Sequence, residues 1–186
     1  MLKLRTPQVV TAHYRITTPM FLGNAFQEAD ADQFQTSSFK GSLRFWWRAL
    51  QWASCYQSSN GDVAAALRTL HAREAALFGL ASDGNNSRQS RVTLQVRMEG
   101  AKRTPLTTTL PAELRSVTYL MGMGLAHFKN GLLREYVSGG TLTVRAVIRP
   151  PAVMDGGGDA SIKEVANALT VMGLLGYAAS ACAPAA

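Results

Sequence analysis

Apolar residues recur along this chain at two spacings, and the switch between them predicts the order of elements. Gln8 to Thr17 holds Val9, Val10, Tyr14 and Ile16 ahead of Pro19, which predicts a first strand. From Thr36 the period becomes helical: Phe39, Leu43, Trp47 and Leu50 form one apolar stripe, with Phe45, Trp46 and Trp52 at its edges. Ser37 and Ser38 suit the N-cap of this helix. Ser54 to Gly61 is polar and reads as a connector. Asp62 then caps a second helix, Val63 to Phe78, with Val63, Ala66, Leu67, Leu70, Leu77 and Phe78 as its apolar face and Gly79 as its C-cap.

Ser82 to Gln89 is rich in Ser, Asn and Gly and reads as a loop. Arg91 to Glu99 alternates, with Val92, Leu94, Val96 and Met98 on one face, as a half-buried strand does. Ala101 to Pro111 reads as a loop, and Leu114 to Phe128 as a buried or partly irregular segment. Thr141 to Arg149 alternates again, between Gly139-Gly140 and Pro150-Pro151, with Leu142, Val144, Ala146 and Ile148 inward. After a glycine loop at Asp155 to Asp159, Ser161-Ile-Lys-Glu164 has the form of a capping box. It opens a last helix through Ile162, Val165, Ala166, Leu169 and Met172.

The order is strand, helix with a helical insertion, strand, strand, helix. That is an α+β arrangement holding the first five parts of a β-α-β-β-α-β, ferredoxin-like unit, without its final strand. The length of 186 residues suits one domain over 1–176, followed by an Ala-rich tail over 177–186. The net charge of +7 favours a polyanionic partner. Cys55 and Cys182 are too few for a disulfide framework or a zinc site, which fits a reducing cytoplasm. Val165 to Ala186 lacks charged residues, but its Ala and Gly content drives membrane insertion poorly, so a buried helix with a loose tail is the better reading.

Known catalytic and metal signatures are lacking. Glu28, Asp30 and Asp32 alternate in the loop from Phe21 to Gln35, yet lack the glycine and glutamate that an EF-hand loop requires. The glycines of Tyr119 to Leu125 are not followed by Gly-Lys-Ser/Thr, so they do not form a phosphate loop. His13 has no second acid–base residue at an informative spacing, and His71 and Arg73 read as surface residues. No metal or other cofactor is implied.

The candidate chemistry gathers on the first helix. Lys40, Arg44 and Arg48 recur every four residues and line one face. They suit consecutive phosphates, arginine by bidentate contact. Phe45 or Trp46 is placed to stack a base. Gly41 allows a close backbone approach, and backbone N–H groups from Ser38 to Gly41 offer a phosphate cradle at the helix start. The alternative is that the aromatics are core and the cations a solvated face; Phe39 and Trp47 are assigned to the core.

Thr18-Pro-Met-Phe-Leu-Gly-Asn-Ala25 followed by Ser37-Ser-Phe-Lys-Gly-Ser-Leu-Arg-Phe-Trp-Trp-Arg48 resembles the N-terminal half of a RAMP protein. Glu74-Ala-Ala-Leu-Phe-Gly79 resembles the family's closing motif for this helical region. Within the family the pattern is most similar to the first RAMP subunit of the type III-B (Cmr) CRISPR effector. The resemblance implies an RRM-like domain that binds guide RNA near its 3′ region or captures target RNA without cutting it. It implies other RAMP subunits as partners, no membrane, and an RNA site at Asn24, Ser38, Lys40, Gly41, Arg44, Phe45, Trp46 and Arg48. The family's basic glycine-rich loop and last strand are not matched after Met172-Gly-Leu-Leu-Gly176, which suggests a truncated, frame-altered or split product. Two other classes stay open: a RAMP-fold RNase using His13 with Tyr14 or Lys40, and an adaptor or remnant that binds protein only.

Overall fold

A computed structural model gives the fold and describes residues 6–21, 36–83, 86–121, 124–127, 129–151 and 160–176. In chain order the elements are β1 (Gln8–Arg15), α1 (Thr36–Ser58), α2 (Val63–Phe78), β2 (Leu80–Asp83), β3 (Asn86–Arg88), β4 (Val92–Glu99) and β5 (Lys102–Thr104). A 3-10 turn (Ala112–Val117) follows, then α3 (Thr118–Met121), β6 (Ala126–His127), β7 (Gly131–Leu132), β8 (Tyr136–Ser138), β9 (Thr141–Ile148) and α4 (Ser161–Leu175). The architecture is mixed α and β. Among the described residues, the three long strands form a sheet in the order β1-β9-β4. The backbone bonds Ile16 N–H to Gly140 O and Arg149 N–H to Arg91 O join the end of one strand to the start of the next, so both pairings are antiparallel.

The chain divides into two compact units. One comprises Met1–Ala12, Thr36–Gln95 and Val144–Ala186; the other comprises His13–Gln35 and Val96–Thr143. In the first, α1 packs on α2 and α4. Phe39, Leu43 and Trp47 are buried with Leu70, Leu77 and Phe78 of α2 and Val165, Leu169 and Met172 of α4. Trp47 meets Phe78 edge to face, at 5.7 Å between ring centroids. In the second unit, Leu114, Ala126, Leu132 and Tyr136 form a small core, with Phe21, Leu110 and Met121 against it. Strand β5 pairs with β8, and Arg103 grips Glu135 with bonds from Nε at 3.0 Å and from Nη2 at 2.7 Å to Oε2.

Several local expectations change. Helix α1 does not stop at a connector after Trp52; it runs to Ser58, because Cys55 extends the buried stripe and Trp52 stacks on Tyr56 at 5.8 Å. Leu50 is exposed, as are Val63 and Leu67 of α2, so both apolar faces are narrower than predicted. Helix α1 begins at Thr36, which places Ser37 and Ser38 in its first turn. The Ser82–Gln89 loop completes the β2–β3 hairpin, which starts at Leu80, and the Ala101–Pro111 loop contains β5; backbone pairing overrides composition in both.

The α4 capping box does not form. Ala160 is the N-cap, without a side-chain bond, because the Glu164 carboxylate accepts instead from Trp47 Nε1 at 3.0 Å and from Arg73 at 2.8 Å. Asp62 does cap α2, accepting from Ala64 N–H at 2.8 Å and Ala65 N–H at 3.1 Å. No helix among the described residues is long and apolar enough to cross a membrane. The acidic loop at Glu28 to Asp32, the glycine loop at Asp155 to Asp159 and the tail over 177–186 lie outside the described residues.

Candidate nucleic-acid interface

Helix α1 projects its cations because its other face is committed to the core. Lys40, Arg44 and Arg48 lie beside the buried line of Phe39, Leu43 and Trp47 and stay partly solvent-exposed. They do not form a simple row of free charges. Arg44 donates from Nε to Glu74 Oε1 at 2.7 Å, and Arg48 donates from Nη1 to the same oxygen at 3.0 Å. The Glu74 side chain, on α2, is only 3% exposed, against 36% for Arg44 and 42% for Arg48. One buried carboxylate thus fixes two outward-reaching guanidinium groups, each with further N–H groups for another ligand.

Lys40 takes a different partner. Its Nζ donates to Ser90 Oγ at 2.8 Å. Burial, and secondarily the nearby Arg44 charge, hold its ammonium below the ordinary lysine value of 10.5. Both influences disfavour the charged form, and an anion at this point would restore it.

Ser38, Gly41, Phe45 and Arg48 follow one another at three- and four-residue spacing and so share a surface line. Phe45 is 47% exposed. Gly41 is exposed, and among the described residues nothing lies within 4 Å of where a Cβ would stand. The N–H groups of Lys40 and Gly41 are used inside the helix, so a backbone cradle there is confined to the first helical residues, Thr36 to Ser38. Trp46 is turned away from this line; it is half-buried, meets Phe45 edge-on at 5.2 Å, and its indole N–H is buried without a partner. Asn24 lies outside the described residues.

Two residues gained roles that spacing did not show. Glu74 organises Arg44 and Arg48. Arg73 is a partly exposed surface residue that is also engaged: it bonds Glu164 and Gln51 and sits 5.9 Å from the Trp47 ring centroid. The only available signal was Glu74's place in the Glu-Ala-Ala-Leu-Phe-Gly run, which does not reveal a partner. His13 is exposed on β1, with Nδ1 3.1 Å from Thr143 Oγ1. Tyr14 follows it in the strand and points to the opposite face, where burial pushes its hydroxyl up to about 12. Among the described residues no group of three or more His, Cys, Asp or Glu is placed to hold a metal.

No curated protein and no solved structure matches the chain. The family model of the RAMP superfamily matches residues 13–112, just over half of the chain, and that span contains α1, Glu74 and β4. The chain therefore belongs to the RAMP superfamily, a family whose general role is CRISPR-associated RNA binding.

Proposed function

We propose that the chain is a non-catalytic RNA-binding subunit of a type III-B CRISPR effector, contacting the 3′ region of guide RNA or capturing target RNA. The β1-β9-β4 order supports reading the sheet as part of a ferredoxin-like domain. The observation that carries the RNA reading is the outward line of α1. A glycine inside a helix costs about 1 kcal/mol relative to alanine, and at Gly41 no neighbouring group among the described residues requires one. Close approach by a backbone from outside supplies the reason. Phe45 stands one turn along as a stacking platform, while Arg44 and Arg48 are held in place for phosphates by Glu74. The other RAMP subunits of such a complex are the expected protein partners.

The test is binding of a single-stranded oligouridylate by wild type, Phe45→Ala and Gly41→Ala. Loss of one stacked base weakens binding by about 1–3 kcal/mol. Gly41→Ala is expected to stabilise the fold yet weaken binding, an opposition that a purely structural glycine does not produce. Unchanged affinity in both variants refutes the α1 surface. Cleavage of guide precursor by wild type, abolished in His13→Ala, refutes the non-catalytic role.

A further inference from the structure

The exposed line of α1 does not end at Phe45. Ala49, Trp52 and Tyr56 follow it at three- and four-residue steps, so they share the side of the helix that carries Ser38 and Gly41. Phe45 is 47% exposed and Tyr56 40%; Ala49 is exposed and Trp52 half-buried. Trp52 and Tyr56 are stacked, with 5.8 Å between ring centroids and planes 27° apart. The turn after α1 abuts this pair. Gly61 donates its N–H to the Tyr56 carbonyl at 3.1 Å, and a Cβ on Gly61 would stand 3.5 Å from the Tyr56 hydroxyl. All of these residues belong to the same compact unit.

The setting of the second aromatic pair suits a polyanionic strand. Arg48 lies three residues beyond Phe45 and four before Trp52, so it neighbours both rings. Its Nη1 is fixed by Glu74, its side chain is 42% exposed, and a guanidinium has further N–H donors to offer a phosphate. The 23 residues of α1 include the cations Lys40, Arg44 and Arg48 and no Asp or Glu, so nothing on the helix itself repels a phosphate. A ring already held in place loses little freedom on receiving a base. Phe45 and Trp52 stand about 10 Å apart along the helix axis, roughly three rises of a stacked strand. Ring, guanidinium and ring thus alternate along α1 as bases and phosphates do along a single strand.

We infer that Trp52 and Tyr56 form a second base-stacking platform, so that single-stranded RNA follows α1 from its first turn to its last, with Arg48 on the phosphates between the two platforms. The inference rests on the RNA reading above and deepens it by lengthening the strand that the helix holds. The platform accepts any base, since every base has a π-face.

The experiment is titration of wild type, Tyr56→Leu, Trp52→Leu and Leu67→Ala with oligouridylate at several salt concentrations. Leucine keeps apolar bulk and helix propensity while removing the ring. Leu67, 52% exposed on α2, controls for apolar surface lost elsewhere. The expected result is a loss of about 5- to 150-fold for each leucine variant, the range of one stacked base. The wild-type salt slope is retained, because no phosphate contact is removed. Leu67→Ala stays near wild type. An equal loss in Leu67→Ala overturns the platform. Wild-type affinity in both leucine variants, while Phe45→Ala still weakens binding, also overturns it, assigns the pair to a protein contact and leaves the Phe45 reading standing. Failure of wild type to bind RNA overturns both. Should the leucine variants not fold, photo-crosslinking of wild type to 5-iodouridine RNA decides. Crosslinks at Trp52 or Tyr56 support the platform, and crosslinks confined to Phe45 and Trp46 overturn it.

Discussion

Removing both Arg44 and Arg48 strands a carboxylate inside the protein. Glu74 is 2% exposed, and both of its cationic partners bind one oxygen, Oε1. At about 4 Å between charge centres and an effective dielectric constant near 20, each pair attracts by roughly 4 kcal/mol. Desolvating the carboxylate opposes that by several kcal/mol, so the intact trio contributes little net stability. Once both cations are gone, the desolvation cost stands alone. Arg44→Ala/Arg48→Ala should therefore lose about 3–5 kcal/mol, a large share of the 5–15 kcal/mol typical of a domain.

Urea unfolding followed by tryptophan fluorescence measures the loss, with the buried Trp47 among the reporters. Adding Glu74→Gln to the double variant removes the stranded charge and should restore about half the loss; the remainder is the cost of unmade hydrogen bonds, about 1–3 kcal/mol. A double variant within about 1 kcal/mol of wild type, or one that Glu74→Gln does not rescue, would falsify the buried-charge argument. The consequence reaches function. A Lys40/Arg44/Arg48→Ala variant would lose RNA through poor folding as readily as through lost contacts. Glu74→Gln alone is the cleaner probe: it raises the net charge from +7 by one and keeps a side-chain oxygen to accept from Arg44 and Arg48, so it should lower stability without weakening RNA affinity.

Three further outcomes are expected. Trp47→Phe keeps an aromatic ring against Phe78 but loses the bond to Glu164, so thermal or urea denaturation should show a loss of about 2 kcal/mol; a loss below 0.5 would show that the indole N–H adds nothing, taking about 0.5 as the low end for a hydrogen bond. Gly79 has φ of 86°, and a Cβ there would lie 2.7 Å from Arg88 O and from Ser90 N, so Gly79→Ala should destabilise by well over 1 kcal/mol; a stable, RNA-binding variant would refute the close packing at the end of α2. Lys40 has its folded pKa depressed below 10.5, so between that folded value and 10.5 the unfolded chain binds more protons and stability from this group rises with pH, while RNA affinity falls as the charge is lost. Lys40→Arg should flatten both trends in alkaline titrations, and identical profiles for the two proteins would exclude Lys40 from binding.

The long periodic elements were legible because burial imposes a period on them. Strands β4 and β9 alternate as their residues do, and α2 starts at Asp62 and ends before Gly79 as its caps require. The exceptions have particular causes. Asn86 to Arg88 is polar and becomes a strand through pairing with Leu80–Asp83, a relation between residues that composition does not encode. Glu164 had the spacing of a capping residue, but an indole N–H and a guanidinium from two other helices outbid the backbone for its oxygens. In the candidate site, the four-residue spacing correctly put Lys40, Arg44 and Arg48 on one side of α1. It could not show that Glu74 engages two of them, because that partner comes from another helix.

That partner changes what the salt dependence of binding should be. Glu74 cancels one of the charges on α1, so Lys40, Arg44 and Arg48 together present a net of about two to a polyanion. Each phosphate neutralised on a single strand contributes about 0.7 to the slope of log affinity against log salt. An RNA path limited to α1 therefore predicts a slope magnitude near 1.4, by the same estimate. A path that reaches two further cations beyond α1 brings it to about 2.8. The two values differ enough to separate by titration of one oligonucleotide. A slope near the lower value would confine the RNA to α1; one near the higher value would require cations beyond that helix.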